Sequence, residues 1–291
     1  MSATGATTNR RPAGYALNRV LTFWLPLLVF IVVLLFPFYW MVLTSLKTDQ
    51  ELYNVRANPF ILNQRPTLDH FAYLFQETSF VRWAWNTLFI STVSTAISLI
   101  CGILAGYALA RLRFRGANFL ALAIFVTYLV PQALLFIPLT DVVQRVRLAD
   151  SPWALILTYP TFLIPFCTWL LMGYFRSIPR ELEEAALIDG ASRLMAMWKI
   201  VLPLALPGVL SAGIFAFTLS WNEFIYALVF LDSSAKKTLP VGLTSELIRG
   251  DGFFWGELMA AALLASVPVA VVYSFFVEYY VAGLSAGAVK G

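Results

Sequence analysis

Long apolar runs, each closed by a charged or turn-forming cluster, divide this chain into its elements. Six runs carry no charged side chain: residues 20–46, 83–110, 116–140, 151–175, 200–222 and 258–277. Each reaches the roughly 20 residues that a helix needs to cross a hydrocarbon layer of about 30 Å. The pattern predicts an all-α polytopic membrane protein with six transmembrane helices. Within 83–110 a small residue recurs every fourth position, at Ser94, Ser98, Gly102, Gly106 and Ala110. Gly208, Ala212 and Ala216 repeat the device in the fifth run, and Ala262, Ser266, Ala270 and Ser274 in the sixth. Such stripes let helix backbones approach closely, so the spans form a bundle. Prolines at 131, 138, 160, 165, 203, 207 and 268 predict kinks inside several of them.

Composition agrees with the pattern. Of 291 residues, 60% are hydrophobic and 12% charged, with a mean hydropathy of +0.77. A soluble domain carries about twice that share of charge. The first run is too long for the apolar segment of a signal peptide and lacks a small-residue cleavage site, so it reads as a membrane helix. Arg10 and Arg11 before it read as an orientation signal. Cys101 and Cys167 both fall inside spans and imply no disulfide framework. His70, the one histidine, lies in a polar segment and cannot make a metal site alone. A net charge of +4, with arginines bordering spans, gives no nucleic-acid signature. Lys and Arg totals on the two sides are nearly balanced, but Arg111, Arg113 and Arg115 crowd one short turn, which places both termini and that turn in the cytoplasm. Segment 47–82 then reads as an extracytoplasmic linker or small cap. In 232–257 the cluster Phe253, Phe254 and Trp255 fits either an interfacial aromatic belt or a partner contact.

Chemistry-bearing residues are few. Glu223, toward the outer end of the fifth span, is the one candidate for an ionisable group within the spans and reads as interfacial or as part of a proton path. Its neighbours Trp221, Asn222 and Tyr226 offer a stacking face, an amide and a hydroxyl, which are groups suited to a sugar in a transport pathway. No phosphate-binding G-x-x-x-x-G-K-[ST] loop, H-E-x-x-H pair or catalytic constellation occurs.

One polar stretch interrupts the greasy pattern. "ELEEAALIDGAS", from Glu181 to Ser192, sets three glutamates and an aspartate among alanines. Ser177 and Pro179 predict a helix start, with Glu181, Glu183 and Glu184 near the positive end of its dipole. Leu182, Ala185, Ala186 and Asp189 share one smooth face. Gly190 predicts a left-handed stop and Ser192 a cap for the next helix. An anionic inner leaflet would repel this acidic helix, so a protein groove is the expected partner.

The stretch "EAALIDGASRLMAMWKIVLPLALPGV" resembles the coupling loop of permease subunits in bacterial binding-protein-dependent ABC importers. The matching positions are Glu184, Ala185, Ala186, Asp189, Gly190, Ala191, Leu202 and Pro203. "SWNEFIYALVFL", "KTLPVGL" and the terminal "AGLSAGAVKG" are similar to the carbohydrate branch, the MalG-like permeases. The resemblance implies the MetI-like type I importer fold and a non-catalytic subunit of the bacterial inner membrane. It implies five core helices over 82–278 with the coupling loop at 177–203. The remainder would be a cytoplasmic tail at 1–19, a first helix at 20–46, an extracytoplasmic loop at 47–81 and a tail at 279–291. Implied partners are a second permease, MalF-like, an ATPase dimer that docks the acidic helix, an extracytoplasmic sugar-binding protein and membrane lipid. No cofactor is expected on this chain; ATP and Mg would sit on the ATPase. The loop 236–257 would reach toward the binding protein. Two alternatives remain: a polyol or glycerol-phosphate solute, and an ion-coupled secondary transporter. The last expects paired intramembrane charges or internal repeats, and the sequence shows neither.

Overall fold

The computed structural model describes residues 18–249 and 252–288. The expected tail at 1–19 therefore falls almost wholly outside the described residues, as do the last three residues of the tail at 279–291. A π-helical turn, Val20–Trp24, leads into α1, Leu25–Ser45. Helix α1 is apolar all round and exposed along nearly its whole length; only Leu43, Thr44 and Ser45 are buried. It packs along the last helix of the chain. After a short turn, Asp49–Leu52, comes α2, Asp69–Glu77, and together these form a folded cap.

Helix α3, Phe80–Arg111, is the central pillar; its 32 residues span about 48 Å, more than a hydrocarbon layer. The small-residue stripe works as the pattern predicts. A Cβ on Gly102 would stand 2.5 Å from Cys167 Cβ, and one on Gly106 would stand 3.1 Å from Met172 N. Two backbones thus touch where only glycine fits.

The third run departs from expectation. In place of one span over 116–140, α4 (Ala117–Leu129) and α5 (Gln132–Arg145) meet at 97°. Pro131 is the cause: it lacks an amide and drives Val130 into extended backbone, φ −68° and ψ 125°, which ends α4. Helix α6, Pro152–Thr158, capped by Ser151, runs on into α7, Pro160–Ser177, as a fourth span.

The acidic stretch forms α8, Arg180–Ile188, and α9, Arg193–Ala196, with Gly190 between them at φ +90° and Ser192 Oγ accepting Met195 N at 3.2 Å. The cap at the start of α8 differs from expectation. Pro179 stands at that position, and Ser177 Oγ instead donates to Tyr174 O at 2.8 Å, closing α7. A π-helical turn, Met197–Val201, and a short turn, Leu202–Leu204, precede a 77° bend into α10, Leu206–Trp221. The chain ends with α11 (Ile225–Phe230), α12 (Leu239–Leu247), an antiparallel two-stranded ribbon and α13. The ribbon pairs β1 (Ile248–Arg249) with β2 (Gly252–Phe253). Helix α13, Trp255–Ala288, continues through ten residues expected as tail. With each bent pair taken as one, the described residues hold up to six candidate spans.

Three apolar clusters fill the bundle. One, at the α8 end, joins Tyr107, Phe175, Met197 and Val201. A second, in the middle, centres on Tyr159, Leu163, Tyr226 and Phe230. The third lies under the cap and joins Leu74, Trp83, Trp221 and Leu239.

The segment 236–257 is not a free loop. Trp83 Nε1 donates to Ser234 O at 2.7 Å, and Asn86 Nδ2 donates to Ala235 O and Lys237 O at 3.0 Å. Leu239 N donates to Thr87 Oγ1 at 2.7 Å, and the Trp83 ring lies so close over Gly242 that no side chain fits there. Helix α12 is therefore pinned to the first turns of α3, and Leu239 and Val241 are buried.

Candidate functional site

Helix α8 has two unlike faces. The inward one is Glu183 with half-buried Ala186 and Leu187, the i, i+3, i+4 set of a helix side. Glu183 Oε1 accepts from Tyr107 Oη at 2.5 Å, and its Oε2 lies 3.5 Å from Arg111 Nε. Arg111 Nη2 donates to Ile178 O at 2.8 Å, while Arg180 Nη2 donates to Ala110 O at 3.3 Å. Ala110 is in the last turn of α3, whose carbonyls have no helical partner, so Arg180 satisfies one of them and favours the negative end of the dipole.

The other face is open. Glu184, Ala185, Asp189 and Gly190 are exposed, Ala186 and Ala191 half-buried. Of the smooth face expected from the sequence, Leu182, Ala185 and Asp189 point away from the bundle side, and Ala186 turns partly inward. Ile188 is 86% exposed, an extreme value for a large apolar side chain, and Leu194 and Met195 are exposed nearby in the chain. Beside this helix a cleft of about 360 Å³ is lined by Arg111, Arg113, Arg180 and Arg193, with Glu183 and Glu184 the acids on its wall.

The second expected site is less open. Glu223 is buried and accepts three bonds: Tyr159 Oη at 2.8 Å, Tyr226 N at 2.8 Å and Ala227 N at 3.1 Å. It anchors the start of α11 across to α7's leading turn, a carboxylate on free helix amides, with its oxygens taken up by these bonds. Trp221 is buried with its ring 5.5 Å from Phe217, and Tyr226 is buried with Oη donating to Gln132 O at 3.2 Å. Of the four, Asn222 alone is exposed, and its Nδ2 donates to Thr218 O at 2.9 Å.

His70 also differs from expectation: it is buried within α2, not in a polar loop. Its Nε2 donates to Lys47 O at 2.7 Å and its Nδ1 faces Glu257 Oε1 at 3.1 Å. The hydrogen bond to Glu257, opposed by burial, raises its pKa, and the charged form it favours can donate to both partners. Asp49, His70 and Glu257 place one ligand atom each within 4.8 Å of one another. A cation there would displace the bond of the one ring nitrogen it takes.

Sequence reasoning missed Glu183, Tyr107, Arg111 and Ile188. Tyr107 and Arg111 stand four apart at the end of the second run, on one helical face, and that spacing was the available signal.

The architecture is that of an importer permease. A chain from a crystal structure of a bacterial ABC transporter that imports the acidic polysaccharide alginate superposes with a TM-score of 0.75 at 23% identity, covering 96% of this chain and 100% of that one. The sequence matches the family described as binding-protein-dependent transport system inner membrane component over residues 98–285, and the chain belongs to that family. It is 36% identical to the inner membrane ABC transporter permease protein YcjP of Escherichia coli (strain K12), over 98% of this chain and 99% of the relative. It is 39% identical to the sulfoquinovosyl glycerol transport system permease protein SmoH of Agrobacterium fabrum, over 88% and 89%. The chain is thus a multi-pass permease subunit of a binding-protein-dependent ABC transporter.

Proposed function

We propose that this permease imports a sugar or sugar glycoside together with a second, MalF-like permease, and that α8 docks a cytoplasmic ATPase dimer. ATP and Mg bind on that ATPase; this chain binds no cofactor and supplies no catalytic group. A sugar-binding protein delivers the solute at the cap end, and both termini lie in the cytoplasm with α8. The observation that carries the reading is α8 itself: a short acidic helix clamped along one side and bare on the other, with Ile188 standing out as a knob. The name of the Agrobacterium relative supports a carbohydrate solute. That name includes a glycerol unit, so a glycerol-bearing solute is the second reading.

The test is reconstitution. The chain alone in proteoliposomes should hydrolyse no ATP, while the assembly with its ATPase should hydrolyse it, and faster with loaded binding protein. Cysteines at Arg113 and Ser192 should resist impermeant thiol reagents in intact cells, and one at Ser234 should react. ATP hydrolysis by the chain alone, or the reverse labelling, would overturn the reading.

A further inference from the structure

Next to the cleft beside α8 lies a larger one, of about 630 Å³, that shares Arg113 and Arg180 with it and adds Arg115 and Arg176. No carboxylate is among its lining residues. The ion pairs of the described residues engage Lys47, His70, Arg111, Arg145 and Lys236, and none engages these four arginines. All four are exposed, and only Arg180 gives a donor to the chain, at Ala110 O. Guanidinium groups gathered around one hollow repel one another until an anion joins them, and their planar forks suit phosphate.

The surroundings of the hollow are apolar. Phe114 and Phe119 line it and are exposed, Phe119 by 73%. From Arg176 an open track runs along α7: Trp169, Gly173 and Arg176 stand at i, i+4 and i+7, and all are exposed. A Cβ on Gly173 would meet nothing within 4 Å, so the helix is notched there. Trp169 closes the far end, its ring 4.4 Å from that of Phe125 on α4. Seven residues of helix make the track about 10 Å long. It lies inside a candidate span, a depth at which the surrounding solvent is lipid.

We infer that this hollow binds the headgroup of an anionic glycerophospholipid from the leaflet at the α8 end, with an acyl chain along the Gly173–Trp169 track. The arginines share the phosphate, and the chain covers the apolar wall. The inference rests neither on ATPase docking nor on a particular solute; the ligand is a component of the membrane.

The test is native mass spectrometry of the complete transporter, delipidated and then titrated with dioleoyl phosphatidylglycerol. Phosphatidylcholine with the same chains controls for charge, and glycerol 3-phosphate supplies the phosphate without chains. Wild type should hold phosphatidylglycerol at least about tenfold more tightly than either. Arg113→Gln and Arg176→Gln should each weaken it roughly fivefold, the effect of one cation at a lipid surface, and the two together roughly 25-fold. Gly173→Leu keeps every arginine, and its Cβ meets no neighbour, but its side chain fills the notch. It should weaken phosphatidylglycerol roughly tenfold, the effect of about two displaced methylenes, with the melting temperature unchanged. Equal binding of phosphatidylcholine or glycerol 3-phosphate, or wild-type binding by the arginine pair or by Gly173→Leu, would overturn the inference. So would an arginine pair that sheds the ATPase while still holding phosphatidylglycerol, since the hollow would then belong to a protein partner.

Discussion

The cap end and the α8 end of the bundle treat their polar groups in opposite ways. At the cap, charges are spent on the chain itself. Lys47 pairs with Glu51 at 3.3 Å, and Glu51 also accepts from Asn63 and Gln64. Asp150, at φ +53°, accepts from Asp232 N, Ser233 N and Lys236 Nζ, and the lysine and serine contacts hold its carboxyl well below the usual range. At the α8 end one acid, Glu183, is used internally, and Glu181, Glu184 and Asp189 are left exposed beside Ile188. The difference teaches how to read a surface. The cap ties its inner charges together and still leaves Val55 and Leu68 bare at its surface, whereas on α8 the acids themselves stand exposed beside the apolar knob, the mixture that a second protein completes.

The comparison breaks most directly at Ile188. Ile188→Asp should cut ATPase retention by about 30-fold or more, the scale of a lost apolar anchor, with insertion and melting temperature unchanged. Pull-down of the reconstituted complex measures it; a simultaneous drop in thermal stability would mean that Ile188 serves this chain's own fold. Asp150→Ala should do the reverse. It removes a charged acceptor from several donors, costing about 2 kcal/mol of stability in detergent melts, with docking intact. Gly190→Ala forces a Cβ into left-handed backbone at a cost of about 1 kcal/mol, and should lower affinity for the ATPase a few-fold by shifting α8 against α9. The smallest effect concerns pH. His70 has a raised folded pKa, so its contribution is fully present below the unfolded value near 6.5 and fades as pH climbs through the folded one. Protection factors in 69–77, that is exchange corrected for its intrinsic rise with pH, should therefore fall on alkaline titration, and His70→Gln should abolish that fall without touching the α8 end.

Features set by short-range rules were legible in the sequence. Gly190 stops a helix because, with no Cβ, it takes left-handed backbone at least cost, and Ser192 caps because its partner is three residues away. The stripe on α3 was legible because its period alone marks a helix contact. Features set by distant partners were not. Glu183 reads as a dipole acid until Tyr107, 76 residues earlier, closes on it. The segment after Asp232 reads as a loop until Trp83, Asn86 and Thr87 supply bonds across some 150 residues. Pro131 signals a kink, but its size depends on what the freed carbonyls find, and that is a property of the packed bundle. Glu223 was read from its place beside Trp221 and Tyr226; that Tyr159, 64 residues earlier, donates to it as it caps the amides of α11 is a property of the packed bundle.

The junction at His70 also sets a clock for biogenesis. Its ring binds Lys47 from the beginning of the chain and Glu257 from near the end. At about 5–20 residues per second, the ribosome needs roughly ten to forty seconds to make the intervening stretch. For that interval the early cap residues lack the helix that seals them, and the first span waits for α13. Nascent chains arrested before Trp255 should accordingly be cut by proteases within 47–79, and chains released beyond it should resist.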